Sequence, residues 1–100
     1  MEKEMIKNVT LEKVAIMIDI MIKILGCDYG DAFNIIIRSK TYRLLKKGNY
    51  STLHDSPQAN LSSIGQELRE SGDAKYQKLG NELTDQNIKK AMFLMVEENT

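Results

Sequence analysis

Five isoleucines stand at alternate positions, Ile16, Ile18, Ile20, Ile22 and Ile24, inside the most apolar run of the chain, Val14 to Leu25. Strict alternation of β-branched residues is a strand pattern. The other face of such a strand carries Met17, Asp19, Met21 and Lys23, however, and is only half polar. A helix accounts for more of the segment. Wound at 100° per residue, it gathers Glu12, Ile16, Asp19 and Lys23 into one arc and leaves nearly every other position apolar. Asp19 and Lys23 then form an acid-to-base pair four residues apart in the favoured order. Thr10 can cap the start with Glu12 in the first turn, and Gly26 stands where a C-terminal glycine belongs. The spacing predicts a helix over 8–25.

Such a helix must hide far more than the usual stripe of 100° or a little more. Either it is the central helix of a small bundle, or it packs partly against another chain. A membrane span is not the answer. The run has only twelve residues and contains Asp19 and Lys23, whereas a span needs about 20 nearly uncharged residues. The N-terminus mixes both signs in Glu2, Lys3 and Glu4, unlike a secretory signal. A lone cysteine, Cys27, makes no internal disulfide and fits a reducing compartment. A cytoplasmic protein is expected.

Beyond Gly26, helix starts follow in quick succession. Asp28 can cap a helix carrying Ala32, Phe33, Ile36 and Ile37 at helical spacing. Ser39 can cap another from Lys40 to Lys47, ended by Gly48 and Asn49, unless this is a kinked continuation of the one before. Residues 49–55 read as a connection, semi-extended, anchored by Tyr50 and Leu53. Ser56-Pro57 is a cap followed by proline at the first helical position, where the missing N–H costs nothing. That helix should run to about Ser71 with Leu61, Ile64 and Leu68 inward. Gly65 inside it suggests a close helix–helix approach. A short helix over 74–83, weakened by Gly80, precedes a last one capped by Thr84 or Asp85. Ile88, Ala91, Met92, Met95 and Val96 give this last helix a full amphipathic face. The fold class is therefore all-α, a compact bundle of four to six helices forming one domain over 1–100.

No catalytic constellation is legible. Cys27 and His54 are single examples of their kinds, and thiol catalysis requires them to meet. Asp28 next to Cys27 raises the thiol pKa rather than lowering it. One cysteine and one histidine without paired spacing do not make a zinc site, and the six glycines form no phosphate cradle. Neither an enzyme nor a bound cofactor is expected.

Charge is more informative in its distribution than in its sum. The chain is neutral overall, with fourteen basic and fourteen acidic residues. Residues 1–50 nevertheless carry nine basic against six acidic, and residues 51–100 five against eight. The surplus is concentrated in Arg38, Lys40, Arg43, Lys46 and Lys47, with Tyr42 interleaved. On a helix Lys40, Arg43 and Lys47 share a face that suits a phosphate track. The plainer reading is a solvated face whose cations complement the helix dipole, or one that pairs with the acidic second half.

Three short elements carry a family resemblance. They are Asp28-Tyr29-Gly30-Asp31-Ala32-Phe33, Ser39-Lys40-Thr41-Tyr42-Arg43-Leu44-Leu45 and Tyr50-Ser51-Thr52-Leu53-His54. Their succession of acid-capped helix start, Ser-Lys-x-Tyr-x-Leu-Leu element and Leu-His anchor resembles small uncharacterised helical bacterial domains that accompany toxin-like or mobile-element genes. The stretch covers about 40 residues of the 100. The extension from Gly72 to Thr100 departs from the pattern. The resemblance implies an accessory or neutralising partner and transfers no catalytic residue.

The sequence thus points to a protein–protein interaction module, expected to be a homodimer. Its candidate interface is Ile16, Met17, Ile20, Met21, Ile24, Met92 and Met95. The alternative is a small nucleic-acid-binding regulator that uses the basic segment 38–47.

Overall fold

The computed structural model describes residues 2–99. Seven helices follow one another among them: α1 (Lys3–Leu25), α2 (Tyr29–Ile37), α3 (Lys40–Lys46), α4 (Tyr50–His54), α5 (Pro57–Arg69), α6 (Ala74–Glu82) and α7 (Asp85–Glu98). No strand forms among the described residues. The all-α expectation therefore holds, while the count of four to six is one short.

The isoleucine-rich segment is the centre of the bundle. All six other helices touch α1. Met17, Ile18, Ile20 and Met21 are wholly buried, and Val14 nearly so. Alternate isoleucines point about 200° apart on a helix, so Ile18 and Ile20 face different neighbours, while Ile16 faces solvent. The surrounding helices add Ile36, Leu45, Leu61, Ile64 and Leu83, all buried in the same cluster. Each such side chain contributes roughly 1.5–3 kcal/mol on burial.

α1 starts earlier than the spacing suggested. Thr10 is not a cap but lies buried inside the helix, and its hydroxyl donates to the Leu45 carbonyl across 3.4 Å. The first two turns are held by tertiary contact, with Ile6 lying against Gly48 at the end of α3. The C-terminus is as read: Gly26 takes the left-handed conformation, φ 66°, and its N–H returns to the Ile22 carbonyl.

The remaining starts follow their caps. Asp28 accepts from the Asp31 N–H, Ser39 from Tyr42, Ser56 from Ala59 and Thr84 from Asn87. Thr84 is thus the cap of α7, and α3 is a helix in its own right. The additional helix is α4, formed where a connection was expected. Asn49 accepts from the Thr52 N–H and from the Ser51 and Thr52 hydroxyls, which closes the single turn. Five residues are too few to show a hydrophobic period. Leu53 is a buried anchor as read, but Tyr50 is exposed and stacks on His54 instead, ring centroids 4.0 Å apart.

Glu67 of α5 provides α3 with a second, tertiary cap. Its carboxylate accepts from the Lys40 N–H at 2.7 Å, the Thr41 N–H at 3.1 Å and the Thr41 hydroxyl at 2.7 Å. A carboxylate at a helix N-terminus also opposes the positive end of the dipole. Glu67→Gln should lower stability by about 1 kcal/mol. In a thermal melt that is a fall of roughly 4–8 °C; an unchanged midpoint would mean that Ser39 alone suffices.

Candidate interaction surfaces

The α1–α7 pair was the candidate interface, and the structure divides it. Met17, Ile20 and Met21 are fully buried within the single chain and present nothing to a second one. Ile24, Met92 and Met95 are half-buried against the core. Ile16 alone of the seven is exposed. The correction has a simple cause. Helices arriving from later in the chain cover every side of α1 but the arc of Leu11, Glu12, Ala15, Ile16, Asp19 and Lys23, and apolar content alone does not say which chain provides the cover.

Exposed large apolar side chains lie on several helices, Met5, Leu11 and Ile16 on α1, Tyr29 and Phe33 on α2 and Tyr50 on α4, and α7 adds Phe93, Leu94 and Val96. Ile88, Ala91, Met92 and Met95 dock this helix on the core. At 3.6 residues per turn that places Phe93 on the opposite side, where it is 64% exposed, with Val96 at 61%. Val96 was read as part of the inward face and is not. Two polar contacts fix how α7 sits. Lys23 of α1 pairs with Glu98 rather than with Asp19, and the Ser62 hydroxyl of α5 donates to Asp85.

Arg38, Lys40, Arg43, Lys46 and Lys47 are all exposed. They lie along α3 and its two flanks, and among the described residues none is in an ion pair. The Lys46 ammonium lies 5.6 Å from the centre of the Tyr42 ring, a cation–π contact. Glu67 places a carboxylate beside Lys40, so the acidic second half does meet this segment, though through backbone N–H groups.

Cys27 and His54 do not meet. Lys13 of α1 reaches the carbonyl oxygen next to His54, that of Asp55. Cys27 follows fourteen residues later, about 20 Å further along the helix direction. Burial pushes the Cys27 thiol pKa up, and the carboxylates of Asp31 and Asp28 add to the rise, so the reactive thiolate is disfavoured. The His54 ring stacks on Tyr50, with Nδ1 2.8 Å from the Tyr50 carbonyl. No group of three or more His, Cys, Asp or Glu among the described residues is placed to hold a metal ion.

Sequence reasoning missed one polar site entirely. Lys13 is only 7% exposed. Its ammonium donates to the Thr52 carbonyl at 3.2 Å, to Asn60 Oδ1 at 3.0 Å and to the Asp55 carbonyl. Asn60, 1% exposed, donates in turn to Thr52 O at 3.1 Å. Burial lowers the Lys13 pKa, and the charge of Asp55 opposes that shift. Three acceptors match three ammonium donors, so the node ties α1, α4 and α5 together with no donor left over. The available signal was weak: on the wheel of α1, Lys13 lies between Ile20 and Ile24 rather than in the polar arc.

Compared with protein-family models, curated proteins and solved structures, the chain matches none. No helix among the described residues is long and apolar enough to cross a membrane.

Proposed function

We propose that this chain is a non-enzymatic protein–protein interaction module that works as a homodimer. The observation that carries the reading is the outer side of α7, where Phe93 and Val96 are exposed although the core is filled by the opposite side of the same helix. Large side chains left in water on a regular, well-docked helix favour association. The accessory or neutralising role implied by the family resemblance is a use of the same property toward a second protein. Sedimentation equilibrium at micromolar concentration tests the reading. The expected result is a concentration-dependent dimer, and a monomer across the range would overturn it.

The basic segment supports a second reading, as a nucleic-acid-binding regulator, because its five cations are solvent-exposed and, among the described residues, in no ion pair. If Lys40, Arg43 and Lys47 each neutralise a phosphate, affinity for duplex DNA should fall with salt at a log–log slope of roughly −2.7. Reversing all three to Glu should abolish binding. Absence of wild-type retention at low salt would leave the segment as a solvated helix face.

A further inference from the structure

We infer that the surface of α7 receives α7 of a second copy in antiparallel register, with the twofold axis passing at Phe93. This rests on the homodimer reading above and adds the contact and its geometry.

Lys89, Phe93 and Val96 are spaced four and three residues apart, so they form one stripe along the helix. All three are exposed, as are the flanking Lys90 and Glu97. The docking residues of α7 lie on the far side, so the stripe is presented without any rearrangement of the bundle.

The charges on this stripe select the orientation. Lys89 stands four residues before Phe93, and Glu97 four residues after it. Two antiparallel copies related by a twofold axis at Phe93 bring Lys89 opposite Glu97 of the second copy, and Glu97 opposite its Lys89. The symmetry makes this contact twice. The same operation lays the methylene stem of Lys89 beside Val96 of the second copy on one side of the axis, covering an apolar side chain while the ammonium stays in water, and Lys90 beside its Glu97 on the other. A parallel pairing would set lysine against lysine and glutamate against glutamate, which is unfavourable. Glu97 needs no special vacancy for this role, since a carboxylate accepts from more than one donor. Twofold pairing requires only one self-complementary patch, and this stripe is self-complementary in sign.

The experiment uses two charge reversals on exposed positions, Lys89→Glu and Glu97→Lys, with circular dichroism as the check that each variant is folded. Each variant alone sets like charges opposite one another twice, and its dimer should weaken by about tenfold or more. Mixing the two variants restores both opposite-charge contacts, so sedimentation of the equimolar mixture should show a heterodimer at concentrations where neither variant dimerises alone. Two variants that dimerise as the wild type does would overturn the α7 contact and leave the homodimer reading standing. Weakened variants that fail to rescue each other would overturn the antiparallel register. A monomeric wild type would overturn both this contact and the reading beneath it.

Discussion

Replacing Lys13 by methionine is expected to lower the melting temperature by roughly 10–25 °C, following a loss of about 3 kcal/mol. Methionine keeps the length and apolar stem of lysine, so the change removes the ammonium and little else. What remains is a set of acceptors. Asn60 Oδ1 and the Asp55 carbonyl lose the donor that Lys13 supplies, and Asn60 is almost wholly shielded from water. A buried polar group stripped of its partner carries its full desolvation cost, about 1–3 kcal/mol each. The gain from no longer burying a cation offsets only part of this, because three acceptors already satisfy that cation. A double-mutant cycle with Asn60→Ala separates the node from simple packing. Both substitutions break the same contact, so their losses should fall short of additivity by about 0.5 kcal/mol or more. Additive losses, or a Lys13→Met midpoint within 2 °C of wild type, would show that the node carries little energy (about 0.5 kcal/mol or less).

Gly80→Ala should be the second large loss, although alanine in a helix is ordinarily worth about 1 kcal/mol over glycine. A Cβ at position 80 would lie 2.6 Å from the Arg69 backbone nitrogen and 2.8 Å from the Gly65 carbonyl oxygen. Backbone atoms cannot swing aside as a side-chain tip does. At Gly65 an added Cβ would press in the same way on the Leu83 carbonyl. These two glycines let α5 and α6 touch backbone to backbone, and Arg69 straps the contact by donating to the carbonyls of Gly80 at 2.7 Å and Leu83 at 3.3 Å. Overpacking of this kind costs about 1–3 kcal/mol or more, enough to reverse the sign of the propensity gain. Gly72→Ala is the control. A Cβ there meets nothing within 4 Å, and its midpoint should match the wild type within the effect of an ordinary surface change, about 0.5 kcal/mol. Equal stability of Gly80→Ala, Gly72→Ala and the wild type would refute the close approach.

The two glycines mark a boundary in what the residues reveal. Gly65 could be suspected of a close approach, because a glycine inside a strong helix needs some reason to be there. Gly80 looked only like a weak point in a short helix, since its partner lies eleven residues away, at Arg69. The same division holds for the surfaces. The exposure of the basic segment was legible, because its five cations have no buried counterpart nearby in sequence. The candidate interface was not. Met17 and Phe93 are equally apolar as letters, and only the arrival of other helices buries one and leaves the other in water.

The caps that start α2, α3 and α5, the glycine that ends α1 and the all-α class were determined by the sequence itself. A cap such as Asp28, Ser39 or Ser56 acts on an N–H three residues on, and an apolar period repeats within four. Interactions of that range are written in adjacent letters. Tertiary structure alone decided that Thr10 lies inside a helix, that Lys13 is buried, and that Phe93 and Val96 face outward. The Lys13–Asn60 contact spans 47 residues. No local pattern encodes a contact of that span, because its energy exists only once the chain between has been folded and the site between the helices has lost its water.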